Sequence, residues 1–440
     1  MTYINEKRNI EHIFAFERTD PVMIDYRTLP KHQVLCLDMK SFFASCECVR
    51  RGFDPEKTYL AVVGDLQRSG SVVLAATPLL KQTYGIRTGK RLFDIPRLPF
   101  IHIVPPSMRH YVQQSMEVTR LLRRFVPPEA IHPYSIDEWW ICVDGMEKLL
   151  GDAWTIAQRI RTAIYQEFGL PSSIGIGPNK FVAKVILDIE GKRTGIASCS
   201  YEEVPKKLWP QPVQNIWGIG PRLAKHLQQM GIRTLGHLAH TPRDLLTKKF
   251  GVMGHQLYYH AWGVDLSSVT DAGMPEVPKS FGHGITLLRD YRDPEEIRTI
   301  ILELSEEVAR RARAARMAGR TVHLGIGYSK TEKHPGFHCS RTMEQPTNVT
   351  MDLYHTCLQL FQEHYTGETV RRVSVTLSQL SPDESMQLDL FEDVLKKRTL
   401  GYVMDDIRRK YGSTALLRAR SYTSGGVMRE RAKKIGGHWA

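Results

Sequence analysis

Residues 33–50 read Gln33-Val-Leu-Cys-Leu-Asp-Met-Lys-Ser-Phe-Phe-Ala-Ser-Cys-Glu-Cys-Val-Arg50. The first part, Gln33–Asp38, is a short apolar run that ends in a carboxylate. Such a run is typical of a buried strand that delivers an acid to the edge of its sheet. The segment Ser41–Arg50 predicts a helix. The stretch therefore predicts a strand followed by a helix, with Asp38 at the point where the strand ends.

A second group of acids is the adjacent pair Asp137 and Glu138. Residues 130–136 and 139–143 have the composition of two strands, and a two-residue connection implies an antiparallel hairpin. The pair would then lie at the hairpin tip, where acids are most often merely solvated. If these strands are neighbours of the first strand in one sheet, the pair converges with Asp38.

The remaining pattern alternates strands and helices, which favours the α+β class. Helical periodicity covers residues 109–124 and 154–168, and residues 172–176 predict a strand. Residues 280–380 predict a separate βαββαβ domain. Its predicted strands are 280–287, 321–328, 337–343 and 370–377, and its predicted helices are 294–318 and 351–363. Residues 265–279 have turn-forming composition and predict a linker before that domain.

A helix-hairpin-helix is predicted within residues 213–232. Gly218 and Gly220 flank a tight turn before a helix that Gly231 closes. Glycines let backbone amides at a helix start approach a phosphate without a Cβ in the way. With Lys225 nearby, the motif predicts contact with a DNA backbone, although a glycine turn of this kind is often only structural.

Composition narrows the classes of protein. The chain has 440 residues and a net charge of +13, which attracts polyanions such as nucleic acid. Since no apolar run approaches about 18 residues and Met1–Asp20 is polar, neither membrane insertion nor secretion is expected, and the cytosol is the expected location. The seven cysteines form no CxxC pair, which argues against disulfides and structural zinc.

The three acids Asp38, Asp137 and Glu138 suit phosphoryl transfer with two divalent cations. That chemistry needs clustered carboxylates on rigid elements, because the two cations must neutralise both the attacking and the leaving oxygen. The acids alone do not decide the reaction, since a nucleotidyl cyclase can use two acids on a similar sheet.

Two motifs carry a family resemblance. Leu37-Asp-Met-Lys-Ser-Phe-Phe-Ala-Ser-Cys-Glu47 and Tyr134-Ser-Ile-Asp-Glu138 resemble the catalytic motifs of the Y-family (DinB/UmuC-like) translesion DNA polymerases. The resemblance continues through Gly175-Ile-Gly-Pro-Asn-Lys-Phe-Val-Ala-Lys184, the helix-hairpin-helix and the βαββαβ domain, so it covers roughly residues 32–420. Within the family the chain looks most like the UvrX-type UV-damage-repair branch.

The resemblance implies an α+β polymerase right hand with a ferredoxin-like palm. The implied domains are an N-terminal extension (1–31), palm (32–41 and 99–198), fingers (42–98), thumb (199–264), linker (265–279), little finger (280–385), and a clamp-binding motif with a basic tail (386–440). The implied activity is low-fidelity synthesis on damaged template, within the SOS response to DNA damage. The implied ligands are primer-template DNA, deoxynucleoside triphosphates and two Mg²⁺ ions.

Site residues follow by the same resemblance. Asp38, Asp137 and Glu138 would bind the Mg²⁺ ions, and the backbone carbonyl of Met39 would complete one shell. Phe43 lies at the steric-gate position that excludes a ribose 2′ hydroxyl, with Phe42 as the core residue because adjacent helical residues face different ways.

Two lysines are candidates for binding the triphosphate. Lys192 falls one residue out of register with a family lysine that does so, and its alternative is a plain surface lysine. The family's Tyr and Arg on the first fingers helix are replaced here by Leu79 and Gln82. Lys81 could supply the missing cation and Thr77 a hydroxyl, but a lysine lacks the bidentate fork of arginine.

Further contacts are expected outside the palm. The basic run on the first helix of the βαββαβ domain predicts DNA-phosphate contact, above all by Arg313 and Arg316, although glutamates on the same helix could neutralise it. This run comprises Arg310, Arg311, Arg313, Arg316 and Arg320.

The stretch Met386-Gln-Leu-Asp-Leu-Phe-Glu-Asp393 resembles a bacterial sliding-clamp-binding peptide. Gln387 would be the polar anchor, and Leu388, Leu390 and Phe391 the apolar ones. Acids on both sides, including Asp383, argue that the peptide is exposed. The basic residues after 417 predict a flexible tail that solubilises the chain, attracts DNA or docks to a recombinase filament. A monomer is expected.

One further class of protein remains open at this point. A catalytically inactive adaptor could keep the polymerase body and recruit partners through residues 387–391. Such a protein should have lost metal ligands, whereas all three acids are present. The cyclase alternative leaves the helix-hairpin-helix and the basic charge without a purpose.

Overall fold

The computed structural model describes residues 24–269, 278–384 and 393–439. The chain divides into two compact units, with the boundary between residues 274 and 275. This boundary falls inside the predicted linker, of which residues 270–277 lie outside the described residues. No helix within the described ranges combines the length and apolarity that a membrane span needs.

Unit 1 contains three- to six-residue strands and a larger number of helices in its described part. The strands are β1 (Val34–Met39), β2 (Tyr59–Val63), β3 (Val73–Ala76), β4 (Ile101–Val104), β5 (Ile131–Pro133), β6 (Glu138–Cys142), β7 (Ser172–Gly177) and β8 (Ile196–Ser198). The helices are α1 (Phe42–Arg50), α2 (Pro78–Tyr84), α3 (Met108–Leu122), α4 (Glu147–Leu150), α5 (Ala153–Phe168), α6 (Lys180–Ile186), α7 (Lys192–Thr194), α8 (Val204–Lys207), α9 (Pro221–Gln229), α10 (Leu235–Ala239), α11 (Arg243–Phe250) and α12 (Val252–Ala261).

A five-stranded sheet with the order β5-β6-β1-β7-β8 is the centre of unit 1. Its middle strand β1 is antiparallel to both neighbours. Leu35 and Leu37 face a core formed with α3 and α5, while Val34 and Cys36 face a second core that includes Leu187. Both faces of β1 are covered, which explains why its sequence is an uninterrupted apolar run.

A smaller sheet with the order β3-β2-β4 packs with α2; β2, β3 and α2 lie in the predicted fingers range, whereas β4 lies in the range predicted for the palm. The helix-hairpin-helix prediction agrees with the structure: the turn precedes α9, and Gly218 has φ +88°. Such a φ is strained for any residue with a Cβ, so glycine is needed there.

Unit 2 contains the predicted βαββαβ order. Its elements are β9 (Ser280–Tyr291), α13 (Pro294–Ala314), β10 (Met317–Tyr328), β11 (Gly336–Thr347), α14 (Thr350–His364), β12 (Val370–Pro382), α15 (Val394–Tyr411), α16 (Met428–Arg431), β13 (Lys434–Ile435) and β14 (His438–Trp439). The sheet order is β11-β10-β12-β9. Helices α13 and α14 cover one face, where Val322, Leu324 and Val375 are buried.

The predicted end of α13 was wrong. The helix ends at Ala314 instead of Ala318, because Arg316 adopts φ +52° and its N–H bonds the carbonyl of Arg313. Arg316 and Arg320 therefore lie beyond the helix, and β10 begins at Met317. Arg316 remains exposed.

The predicted DNA contact of Arg313 was also wrong. Its side chain is 2% exposed and holds Asp405 of α15 through two hydrogen bonds of 2.6 and 3.1 Å. It also donates to the carbonyl of Asn348 at 2.7 Å. Sequence alone could not show this, because the acid that neutralises Arg313 lies 92 residues further along the chain.

The prediction of a flexible basic tail from residue 417 onward is wrong for residues 417–439, because the C-terminal segment 393–439 folds back on α13. Glu306 is 3% exposed and forms ion pairs with Arg408 (3.2 Å) and Arg418 (3.1 Å). Glu303 accepts a hydrogen bond from the backbone of Val427 at 3.0 Å. Glu303 and Glu306, which were expected to neutralise arginines on their own helix, thus bind the C-terminal segment instead. Glu307 does pair with Arg310 and Arg311 within the helix.

Candidate active site

The three predicted acids meet at one edge of the five-stranded sheet. Asp38 is paired directly opposite Glu138 across β1 and β6. The N–H of Met39 donates to the carbonyl of Asp137 at 3.0 Å. Because directly opposite residues on antiparallel strands have neighbouring side chains, the carboxylates of Asp38 and Glu138 lie side by side, with Asp137 one residue away.

The hairpin that carries Asp137 and Glu138 differs from the predicted one. Glu138 is the first residue of β6, and the connection from β5 is the four-residue segment 134–137. The N–H groups of Tyr134 and Ser135 both bond the carbonyl of Glu138. The Ser135 hydroxyl then donates to Asp137 Oδ1 at 2.8 Å. The tip is thereby fixed by local hydrogen bonds, which hold Asp137 in place.

Two lysines face the acids. Lys184, whose side chain is 5% exposed, donates to Glu138 and lies 3.9 Å from Asp38 Oδ2. Lys192 Nζ lies 3.2 Å from the same oxygen. Sequence reasoning proposed Lys192 but gave no role to Lys184, although it ends a quoted motif. The spacing of Lys184, Asp188 and Lys192 by four residues could have shown that the three share one helix face.

Two glycines of β7 let α6, which carries Lys184, lie close to the acids. A Cβ on Gly175 would lie 2.1 Å from the carbonyl oxygen of Ala183, and one on Gly177 would lie 2.5 Å from its nitrogen. These glycines therefore let α6 approach the sheet closely. Asn179 is the N-cap of α6. Its side chain accepts a hydrogen bond from the N–H of Val182 at 2.9 Å and donates one to the carbonyl of Gly263 at 2.7 Å.

Burial is the strongest influence on the pKa of both carboxylates of the acid pair. Burial raises the pKa of Asp38 to about 7, and the hydrogen bond with Glu138 adds to the rise against the pull of Lys192. For Glu138, burial opposes ionisation, but hydrogen bonds with Asp38 and Lys184 outweigh it and lower the pKa. Burial and the contact with Glu138 thus favour the protonated form of Asp38, while Glu138 stays ionised. Burial also raises the pKa of Asp137, against the hydrogen bond from Ser135.

The acids and Met39 fit a pair of divalent cations. Carboxylate and carbonyl oxygens are the ligands that Mg²⁺ prefers, and three carboxylates, those of Asp38, Glu138 and Asp188, face the two lysines. Asp38, Asp137 and Glu138 do not bring their ligand atoms all within 4.8 Å of one another; among the described residues the group that does is His32, Cys142 and Asp144. Its Asp144 oxygens already accept from the Gln33 N–H and bond His32 Nδ1, each at 2.6 Å, so this cluster serves as a cap between strands.

Phe42 and Phe43 divide as predicted. Phe42 is buried, whereas Phe43 is only partly buried. The Phe43 ring stacks on Tyr111 with centroids 4.5 Å apart and planes at 14°. The Tyr111 hydroxyl in turn donates to the buried Glu47 at 2.8 Å. This stack fixes the orientation of the Phe43 ring.

Lys81 points toward the same region. Its Nζ donates to Ser41 Oγ at 2.7 Å, and burial and the nearby charge of Lys192 lower its pKa. Thr77 does not offer the predicted hydroxyl, because the residue is fully buried and its Oγ1 accepts from the N–H of Leu60 at 3.1 Å.

At the helix-hairpin-helix, the structure leaves the turn open. A Cβ on Gly218 or on Gly220 would meet nothing within 4 Å. Lys225 is exposed on α9. Unlike Gly218, Gly220 has an ordinary φ of −73°, so the protein's own packing does not require glycine there.

The fold and the acid site define a Y-family DNA polymerase, and the chain belongs to the impB/mucB/samB family. The family model matches residues 37–188, the model of its C-terminal domain residues 278–390, and the model of its HHH motif residues 201–232. The protein is a DNA-directed DNA polymerase of DNA repair, which decides against the cyclase and the inactive adaptor.

Individual relatives support this placement. The chain is 52% identical to the UV-damage repair protein UvrX of Bacillus subtilis strain 168, over 94% of this chain and 100% of the relative. It is 40% identical to DNA polymerase IV 2 of the same strain, over 92% and 98% of the two chains. A solved Y-family DNA polymerase chimera shares the fold with a TM-score of 0.63 at 21% identity, over 80% of this chain and 99% of the chimera.

Proposed function

We propose that this polymerase performs low-fidelity translesion synthesis in UV-damage tolerance, by nucleotidyl transfer with two Mg²⁺ ions at the edge of β1 and β6. The observation that carries the proposal is the pairing of Asp38 opposite Glu138, with Asp137 held beside them. Two bound Mg²⁺ ions would neutralise the attacking and leaving oxygens as a primer 3′ hydroxyl reacts with a deoxynucleoside triphosphate.

The acids would act as ligands on rigid supports. Asp38 and Glu138 lie on neighbouring strands, and Asp137 is fixed by Ser135. The carbonyl of Met39, at the end of β1, would complete one shell. Strand-borne ligands hold their positions more accurately than loop residues do, and the proton on Asp38 is lost when a cation binds.

The groups around the acids suit a nucleotide. Phe43, held flat on Tyr111, would exclude a 2′ hydroxyl. Lys192 and Lys81 carry positive charge into the same region and would bind the triphosphate. Lysine acts here as a point charge, without the paired hydrogen bonds of arginine.

DNA contact is proposed for two surfaces, one on each unit. In unit 1 the open turn at Gly218 and Gly220, followed by α9 with Lys225, suits a backbone phosphate. In unit 2 the sheet face away from the helices carries small polar residues, such as the cross-strand row Ser340, His323 and Thr376. The exposed Arg316 keeps its proposed phosphate contact.

Partner binding is proposed for the clamp motif, whose residues Gln387, Leu388, Leu390 and Phe391 lie outside the described residues. The chain is anchored on both sides of it. Asp383, predicted to be exposed, is 6% exposed and bonds Asn348 (2.7 Å) and Tyr402 (3.0 Å). Asp393 caps α15 through the N–H of Lys396 at 2.9 Å. A clamp-binding peptide would therefore be tethered at both ends, on a polymerase expected to work as a monomer.

A role in docking to a recombinase filament stays a proposal for the C-terminal segment, which is folded on unit 2. Arg408 and Arg418 of this segment form ion pairs with Glu306. A contact with the filament must therefore use exposed residues of the segment. Among these are Arg409 and Arg429.

Primer extension across a defined UV photoproduct tests the proposal. Wild-type protein should extend the primer past the lesion with Mg²⁺, whereas a high-fidelity polymerase stalls there. Extension of undamaged template with arrest at the photoproduct would contradict the translesion assignment. Replacing Gln387, Leu388 and Phe391 with alanine should remove stimulation by a sliding clamp and leave clamp-free extension unchanged.

A further inference from the structure

We propose that Asp188 is a positioning residue that pairs with the buried Lys184 and holds Lys192 toward the triphosphate, and that a π-helical segment before Lys192 brings Lys192 into reach. The inference rests on the proposed function of the acid site and deepens it. It assigns a role to a carboxylate that is not itself one of the proposed metal ligands.

The contacts place Asp188 between the two lysines. Asp188 Oδ1 lies 3.4 Å from Lys184 Nζ and 2.9 Å from Lys192 Nζ. The two ammonium groups also contact the acid pair, Lys184 through Glu138 and Lys192 through Asp38. The same two cations therefore bridge Asp188 to the residues proposed for chemistry.

A local irregularity of the helix makes this geometry. Residues Leu187–Gly191 form a π-helix between α6 and α7. One π turn takes up one extra residue, and each residue of a regular helix turns the chain by about 100°. The π turn therefore shifts Lys192 around the helix axis from where a regular helix would place it, and in this position its Nζ lies 3.2 Å from Asp38 Oδ2.

The charge balance explains why a third carboxylate is needed. Once Asp38 and Glu138 bind divalent cations, Asp188 is the carboxylate contact that remains to both lysines among the described residues. Lys184 is 5% exposed, and an ammonium buried without a partner is costly. Lys192 is 47% exposed, so its head can reach a phosphate while Asp188 limits its orientation.

The test compares Asp188→Asn with Glu190→Gln in the full-length chain. Glu190 lies in the same π segment, and no described ion pair joins it to either lysine, so its variant controls for loss of one charge. The measured quantity is the dissociation constant of the next deoxynucleoside triphosphate, with Mg²⁺ and a primer that ends in a dideoxynucleotide and cannot react. Steady-state kcat and KM on an ordinary primer are measured beside it.

Asp188→Asn should weaken triphosphate binding by about tenfold and raise KM similarly, with kcat changed by less than about threefold. Glu190→Gln and the affinity for primer-template should stay at wild-type values. Asp188→Glu should restore most of the binding, since it keeps the charge. In a double-mutant cycle, Asp188→Asn should add little to the defect of Lys192→Met, because Asp188 acts through Lys192.

Wild-type triphosphate affinity in Asp188→Asn, or additive defects in the cycle, would overturn the inference. A fall in kcat with unchanged binding would do so as well. If Asp188→Asn lowers the melting temperature, the Asp188→Glu variant is used instead. Weak triphosphate binding by an Asp188→Glu variant of wild-type stability would contradict the assignment. Failure of the wild-type protein to extend any primer would instead count against the proposed function.

Discussion

Two clusters of buried carboxylates, one in each unit, behave in opposite ways. In unit 1, Asp38 and Glu138 lie side by side, burial raises the pKa of Asp38, and three carboxylates, with Asp188, face two lysines. In unit 2, Glu306 lies between Arg408 and Arg418, and Asp405 is paired with Arg313. The first cluster has more carboxylates than ammonium groups, whereas each carboxylate of the second cluster has a guanidinium partner.

The difference indicates which cluster serves function. Like charges held together lower stability unless a ligand supplies the missing charge. Carboxylates that each have a guanidinium partner need no ligand, and removing one partner leaves a buried charge unpaired. Under the proposed function, unit 1 thus keeps a strained site for cations, whereas unit 2 uses its acids to attach the C-terminal segment to α13.

The largest expected effect is on activity. Asp38→Asn should reduce nucleotide incorporation by roughly a thousandfold or more, since it removes a metal ligand, while primer-template affinity stays nearly intact. Below about pH 7 the melting temperature without Mg²⁺ should not fall, because Asn then replaces a carboxyl that is mostly protonated. Single-nucleotide incorporation and thermal unfolding measure the two effects.

The contrast between the two clusters is wrong if Asp38→Asn destabilises the metal-free protein as strongly as Glu306→Ala, a change in the second cluster, does. In that case the acid pair is structural and the assignment of the strained site to unit 1 is wrong. Incorporation at the wild-type rate would reject the metal assignment.

The next effect is on stability. Glu306→Ala should destabilise unit 2 by about 3 kcal/mol or more, because Arg408 loses its partner while buried. Glu430→Ala, which removes an exposed ion pair with Lys433, should cost less than about 1 kcal/mol. Denaturant unfolding of the two variants gives both values, and equal values would mean that the C-terminal segment is not held by Glu306.

A smaller effect concerns sugar choice. Phe43→Ala should raise ribonucleotide incorporation relative to deoxyribonucleotide by about tenfold to a hundredfold, since removal of the ring opens space at the 2′ position. Phe42→Leu, a change in the neighbouring core residue, should leave the ratio unaltered. An unchanged ratio in a folded, active Phe43→Ala variant would reject the gate.

The smallest expected effect is on pH dependence. Burial raises the pKa of Asp38 to about 7, so the proton is retained below that value and lost above it. A cation must displace this proton, and Mg²⁺ affinity should therefore increase as the pH rises from about 6 to about 8. Isothermal titration in two buffers of different ionisation enthalpy should show proton release on Mg²⁺ binding at the lower pH. A Mg²⁺ affinity that does not change with pH would contradict the raised pKa of Asp38.

Much of the fold could be read from the sequence. The strand that ends at Asp38, the pair Asp137 and Glu138, and the βαββαβ order were all predicted, because each depends on a local pattern of apolar residues and turns. The difference in burial between Phe42 and Phe43 also followed from helical periodicity. Local patterns determine which elements form and which way their side chains face.

Only the tertiary structure decided which charges meet. It placed Lys184 and Lys192 on the acid pair, buried Arg313 against Asp405, and folded the predicted tail onto α13. Each of these pairings joins residues far apart in the chain or depends on an irregular helix turn. A charged side chain has the same local sequence signature whether it is solvated or paired, because its partner is chosen by the packing of distant elements.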